Sequence, residues 1–358
     1  MSGSDSLNVL IAGGGAAALE AAFRLQRVGE QRVRTTILAP DDYLATHAMA
    51  VLVPFAAGAV PHVSLAGLAS DAGARLCRGR LASVDTAEHQ VITADGAAID
   101  YDALLVAVGA IPHVHPHALT FGGPGTGERM HGLIQDVEAG FVRRIAFVVP
   151  EGATWPVPLY ELALLTAGRA YDMCLTPELT LVTPEAAPLA LFGAEASQAL
   201  ARRLDDAGVT VVTGTRAEIL TSRLVELRPS AERLTVDHVV ALPTFAGPAV
   251  PGLPHDRDGY LPVDDHGRVV GASDVFAAGD ATHHRIKQGG LACQQADAAA
   301  DAIAAQAGAA IEPQPYTPAL QGVLLTERGA TFLRRGTGEG PWPPTKIAGR
   351  ELSRVLSA

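Results

Sequence analysis

The sequence predicts an α/β fold of more than one domain, and three observations carry that reading. At 358 residues the chain is long enough for two or three compact domains, each burying its own core. Apolar runs of strand length alternate with alanine-rich stretches of helical length, the pattern that stacks helices on a mostly parallel sheet. The alternation also begins twice, once at Asn8 and again at Ile145.

In order along the chain, Asn8–Ala12 reads as a buried strand, Gly13, Gly14 and Gly15 as a turn, and Ala16–Val28 as a helix stopped by Gly29. Arg34–Ala39 supplies a second strand, and a short helix is expected near Leu65–Ala69. Ala74–Val84 and Gln90–Ala94 read as paired strands with a turn at Asp95-Gly96, which implies a small antiparallel layer. Ala103–Ala110 is continuously apolar and closes at Gly109 before Ile111-Pro112, as a fully buried strand leaving a sheet would. A connection containing proline and glycine, His113–Gly127, leads to the second series: strand Ile145–Val149, helix Leu159–Ala170, strand Leu179–Thr183, helix Ala194–Ala207 and strand Thr210–Thr213. From Gly247 the sequence is loop-rich until a strand at Asp274–Ala278 and a long helix at Gly289–Ala307. The tail holds an apolar stretch at Val323–Leu325, the proline-rich Pro341–Pro344 and a short final helix.

Composition narrows the partners. The formal charge of −11 is spread without a basic block, so nucleic-acid phosphates and anionic membrane surfaces are electrostatically unfavourable, leaving small molecules and proteins. Cys77, Cys174 and Cys293 are odd in number and far apart, which supports neither a disulfide framework nor a four-cysteine zinc site and fits a reducing, cytoplasmic compartment. Val9–Leu25 contains a glycine cluster, Glu20 and Arg24 with no basic stretch before it, so it reads as neither signal peptide nor membrane span.

The strongest motif is Gly13-x-Gly15-x-x-Ala18 between a strand and a helix. Gly13 permits the tight turn, Gly15 leaves room for a pyrophosphate at the backbone, and Ala18 lets helix and strand pack closely. Helix-start amides and the positive end of the helix dipole then face the phosphates. The position at the end of the second strand, where an acid would hold the ribose, is Ala39; Asp41 and Asp42 follow and either reach the ribose, leave that role to a backbone group, or stand as solvated loop acids.

On these residues the chain resembles the FAD-dependent pyridine nucleotide-disulfide oxidoreductases, in the branch of sulfide:quinone oxidoreductases and type II NADH dehydrogenases. Three blocks carry the resemblance: Val9–Glu20, Tyr101–Ala110 and Asp274–Ala281. Their order and separation imply two Rossmann-like dinucleotide-binding domains of three β/β/α layers, the second inserted in the first. The implied division is 1–112 and 247–315 for the FAD domain, 113–246 for an inserted NAD(P)-like domain, and 316–358 for a short C-terminal segment. The implied cofactor contacts are Gly13, Gly15, Ala16, Ala17 and Ala18; Ala39, Pro40 and Asp42; Leu81, Ala107 and Gly109; and Gly279, Asp280, Gln288 and Gly289. By resemblance Asp280 hydrogen-bonds the ribityl chain of FAD, and Lys287-Gln288-Gly289-Gly290 opens a helix aimed at the flavin pyrimidine ring. Reduction leaves negative charge there, which a helix N-terminus and Lys287 would stabilise; an ordinary solvated lysine is the equal alternative.

The second unit departs from the NADH-using pattern. Where Gly-x-Gly-x-x-Gly would stand, Val148–Glu161 contains only Gly152, with Trp155, Pro156 and Pro158 adding bulk and removing amides. The reactive cysteines of the sulfide-oxidising relatives would fall near Trp155 and near Val323 or Leu324, and neither is present. Cys293, on the helix after the flavin segment, either approaches the pocket or, the favoured reading, is a small buried packing residue. Two candidate proton carriers remain: His47, in a stretch that loops toward the flavin in the resembled family, and Glu161, a proton relay at the flavin edge or else a structural helix acid. His113, His115 and His117 alternate but fit a linker better than a metal patch, and no metal is expected; His283 and His284 either line the cleft or sit on the surface. Residues 345–358 carry enough apolar surface for weak membrane contact at most, and packing on the body or in a homodimer is favoured. The function expected is an FAD-dependent oxidoreductase moving electrons between a small donor and a quinone-like or other small acceptor. The alternatives are an NAD(P)H-dependent flavin reductase and a non-catalytic flavoprotein serving as redox sensor or assembly partner.

Overall fold

The structure is a computed structural model and describes residues 6–44, 50–60, 62–123, 125–335 and 349–356. The first unit comprises β1 (Leu7–Ala12), α1 (Ala16–Gly29), β2 (Val33–Ala39), β3 (Tyr43–Leu44), β4 (Val63–Ser64), α2 (Leu65–Asp71), β5 (Arg75–Arg78), β6 (Leu81–Asp85), β7 (Gln90–Thr93), β8 (Ala98–Asp100) and β9 (Ala103–Val106). β10 (Ile111–His113) leads into a second: β11 (Leu119–Thr120), α3 (Thr126–Glu138), β12 (Arg144–Val148), α4 (Val157–Asp172), β13 (Glu178–Val182), α5 (Ala194–Asp206), β14 (Val209–Val212), β15 (Arg216–Thr221), β16 (Leu224–Arg228), β17 (Arg233–Thr235) and β18 (His238–Ala241). β19 (Thr244–Ala246) leads back to β20 (Val275–Ala277) and α6 (Gly289–Gln306), followed by the hairpin β21 (Leu320–Thr326) and β22 (Gly329–Arg335), and α7 (Leu352–Leu356).

Both units are built the same way. Each has an all-parallel five-stranded sheet, in the orders β20-β9-β1-β2-β5 and β11-β18-β12-β13-β14. In each, the chain returns from the far edge strand, β5 or β14, to the inner strand β9 or β18 through an antiparallel three-stranded meander, β6-β7-β8 or β15-β16-β17. Side-chain alternation fixes the layers. Val9 and Ile11 of β1 face α1 and α6, whereas Leu10 and Ala12 face Val84 and Val91 of the meander. Ile145 and Phe147 likewise pack toward the helices of the second unit while Ala146 and Val148 meet Ile219 and Val225. The second unit is inserted in the first, and its entry and exit strands β10 and β19 run antiparallel side by side.

Several segments differ from the sequence expectation. Ala74–Val84 is two strands in two layers, β5 in the parallel sheet and β6 in the meander. The chain bends between them at Gly79, where a Cβ would sit 3.0 Å from Leu38 Cδ1. The Asp95-Gly96 turn joins β7 to β8. The connection 113–127 holds β11 and the start of α3, and α3, the second meander and the β21–β22 hairpin were not anticipated. The second meander keeps the two-residue alternation, with Ala217, Ile219, Val225, Leu227 and Leu234 turned to the core and Glu226 on the other face paired with Arg228 at 2.7 Å and Arg233 at 2.9 Å, but its strands are too short for the period to stand out.

The C-terminal α7 docks on α1. The buried Glu20 carboxylate accepts the Glu351 and Leu352 amides at 2.7 Å each, and Leu352 is fully buried. The stretch Thr345–Ile347 lies outside the described residues. Among the described residues no helix is long and apolar enough to cross a membrane.

Candidate functional site

The β1–α1 turn shows why its glycines are there. Gly13 has φ +135°, and a Cβ on it would lie 2.2 Å from the Ala107 carbonyl oxygen, because β9 passes alongside, with the Ala107 amide donating to Ala12 O at 2.8 Å. Gly15 caps α1 with extended backbone, and a Cβ there would meet nothing, so the space it leaves lies outside the protein. Ala17 and Ala18 are buried, and a Cβ on Gly279 (φ +76°) would be 3.1 Å from Ala17 Cβ. Ala39 is buried behind Gly14, while the Asp42 carboxylate pairs with Arg78, which also donates to Pro40 O at 3.0 Å. Leu81 is half-buried at the start of β6.

From this turn a cleft of about 460 Å³ opens between the two units. One side is formed by Ala16, Gly109, Asp280, Lys287, Gln288 and Gly289; the other by Thr154, Trp155, Val157, Pro158, Phe121, Leu242, Pro243 and Phe245, with Gly322 and Val323 of the hairpin closing it. Gln288 caps α6, its Oε1 accepting Leu291 N–H at 2.8 Å and its Nε2 donating to Gln321 O at 3.3 Å. Cβ atoms added to Gly109 or Gly289 would meet nothing, leaving backbone accessible on both.

Charge in the cleft is concentrated on two groups. Burial raises the Asp280 carboxyl, and Lys287 opposes that rise. Lys287 is not solvated: it is 7% exposed, donates to Thr282 O at 2.6 Å, and lies 3.9 Å from the centroid of the Tyr260 ring. Burial pushes it down to about 8, against the pull of Asp280 and Asp256. His284 is held below its ordinary value, mainly by burial.

Glu161 is fully buried and does not line the cleft; its Oε1 accepts the Leu325 amide at 2.7 Å, tying α4 to β21. His47 lies outside the described residues. Cys293 is buried against α1, and burial raises its thiol well above the usual value. His113 and His117 are exposed, and no group of three or more His, Cys, Asp or Glu among the described residues is arranged to hold a metal. Sequence reasoning missed Thr154, whose buried Oγ1 has no hydrogen-bond partner, Tyr260, and Gln295, whose Oε1 accepts from both Gly279 N–H (2.8 Å) and Thr282 Oγ1–H (3.2 Å). Each reaches the site by a tertiary path that no local spacing announces.

The opposite wall is poor in free backbone amides. α4 begins after Pro156, Pro158 has no amide, and Leu159 N–H is taken by Pro156 O at 3.0 Å. Trp155 fills the mouth, edge-on to Phe192 at 5.8 Å, and a Cβ on Gly322 would be 3.0 Å from its ring.

Residues 160–296 match the family model described as pyridine nucleotide-disulphide oxidoreductase. An NADH dehydrogenase-like protein of Mycobacterium tuberculosis is 29% identical over 245 residues, 63% of this chain and 59% of the relative. Over these stretches the chain is similar to the pyridine nucleotide-disulphide oxidoreductases. It spans about three fifths of the length of that relative. Among solved structures, the sulfide:quinone oxidoreductase of the hyperthermophile Aquifex aeolicus has a similar fold, with a TM-score of 0.82 at 16% identity, covering 92% of this chain and 83% of the other. NDH2 from Plasmodium falciparum gives 0.62 at 14% identity, covering 77% and 64%. The resemblance implies FAD, and the residues fit it: Gly15 leaves open space at the β1–α1 turn, and Ala16, Gly109, the buried carboxyl of Asp280 and the α6 N-terminus at Gly289 line the cleft beside it.

Proposed function

We propose that the chain is an FAD-dependent oxidoreductase that passes electrons between a small donor and a quinone-like or other small acceptor, with no nicotinamide held in the usual way. The observation that supports this reading is the asymmetry of the cleft: one wall carries the glycine turn, Asp280, Lys287 and the α6 N-terminus, and the other is amide-poor and aromatic. FAD, when bound, supplies two-electron redox chemistry. Gly13 sets the turn, Gly15 would let a pyrophosphate approach the α1 N-terminus, and Asp280 would hold the ribityl chain. The α6 N-terminus and Lys287 would stabilise negative charge at the pyrimidine end. Trp155, Phe121 and Phe245 exclude water from the space a small substrate would fill. Glu161 acts as a positioning residue, holding β21 so that Gly322 and Val323 stay at the cleft.

A second reading, NAD(P)H-dependent flavin reduction, draws on the NADH dehydrogenase-like relative. An anaerobic absorbance titration of the flavin band with NADH, NADPH, sulfide and a reduced quinone separates the two. Bleaching by sulfide or quinol alone is the expected result, bleaching by NADH or NADPH would reassign the protein as a reductase, and a chain unable to take up FAD would end the proposal.

A further inference from the structure

We propose that Tyr260 is a positioning residue for Lys287: its ring face pins the ammonium at the cleft. The consequence for electron transfer rests on the FAD reading above; the contact itself does not.

The chain has two lysines, Lys287 and Lys346, against 25 arginines. Where cationic side chains are otherwise nearly all guanidinium, an amine stands buried in the cleft. An arginine there would stay charged at any working pH, whereas a desolvated lysine can lose its proton, so whatever faces it decides its charge. The groups facing Lys287 are the Tyr260 ring at 3.9 Å, the Thr282 carbonyl at 2.6 Å, and the charges of Asp280 and Asp256, with His284 close enough to be affected by it. A desolvated ammonium over an aromatic face is favoured by the ring quadrupole, and a neutral amine gains almost nothing from it. The ring thus favours the charged form.

Tyr260 is itself held on three sides. Its amide donates to Asp256 Oδ1 at 2.9 Å, an oxygen that also takes Asp258 N–H at 2.9 Å. Leu261 N–H donates to Ala281 O and His283 N–H to Leu261 O, each at 3.0 Å, strapping the neighbouring residue to the turn that carries Asp280. The Tyr260 hydroxyl donates to Phe245 O at 2.9 Å, and Phe245 belongs to β19 and lines the cleft.

The test uses the full chain carrying Lys346→Arg and lysine labelled with 13C at Cε, so that one titrating signal remains. Lys287 should titrate near 8, and Tyr260→Leu and Tyr260→Met should each move its inflection down by about one pH unit, while Tyr260→Phe leaves it within a few tenths. In the FAD-loaded protein the break in the pH dependence of the flavin midpoint potential should move with it. An unchanged inflection in both apolar variants, or an equal shift in Tyr260→Phe, would overturn the proposal. The lysine titration is run with and without FAD, so failure to take up the cofactor would sink the functional reading and still leave the Tyr260 contact decided. Two apolar variants guard against one failing to fold.

Discussion

Gly13 and Gly15 stand two residues apart for different reasons, and the difference can be measured. An alanine at Gly13 would have to enter a backbone conformation foreign to it and push β9 away, so Gly13→Ala should cost the fold about 3 kcal/mol or more and lower Tm whether or not FAD is present. Gly15→Ala meets open space with ordinary extended backbone, so Tm of the cofactor-free protein should hardly change. Its methyl would stand where a pyrophosphate approaches, and FAD affinity should fall about tenfold or more, near 1.4 kcal/mol. Equal FAD affinity for Gly15→Ala and the unaltered chain, measured by calorimetry, would count against a dinucleotide at this turn. These glycines were legible from the sequence because local spacing between a strand and a helix carries the chemistry. Tyr260 and Thr154 were not, since a ring over an amine and a buried hydroxyl in a wall depend on segments far apart in the chain.

At the scale of elements, α1 and α6 press together through alanines, and α7 closes one side of that pair. The arrangement buries acids: Glu20 is raised chiefly by burial, and Asp297 on α6 is pushed up to about 7 by burial and by Glu20, with Arg350 and Arg24 opposing. The sign follows from linkage. Between 3.8, the ordinary value, and about 7 the folded chain keeps a proton on Asp297 that the unfolded chain releases, so stability falls as pH rises through that window. At about 1.4 kcal/mol per unit, the penalty above pH 7 is of the order of a few kcal/mol. Asp297→Asn should therefore raise the urea midpoint at pH 8 and have much less effect at pH 4; the opposite order would show that the carboxylate is stabilised where it sits. The alternating helices and strands could be read from hydrophobic period alone. The meander β15–β17 and the hairpin β21–β22 could not, because the meander strands are too short for their alternation to stand out and the hairpin strands are partly exposed on both faces.

For the whole molecule, the cleft exists only where both units and the hairpin contribute a wall, so a ligand filling it binds the folded chain and not the unfolded one. Saturation with FAD at 100 times Kd should add about 2.7 kcal/mol and raise Tm by several degrees in a thermal melt, and an unchanged melting temperature would argue that the cleft does not hold it. The nested topology has a further consequence for the order in which the molecule is made. As the chain emerges during synthesis, β9 is complete at Val106 but its outer edge stays bare until β20 begins at Val275, with the whole second unit made in between. The second unit can close its sheet as soon as β18 appears, so the part made later is finished first. Until then the first unit carries an unpaired, wholly apolar edge strand, Ala103–Val106, which is the surface on which a stalled or truncated chain would stick to its copies.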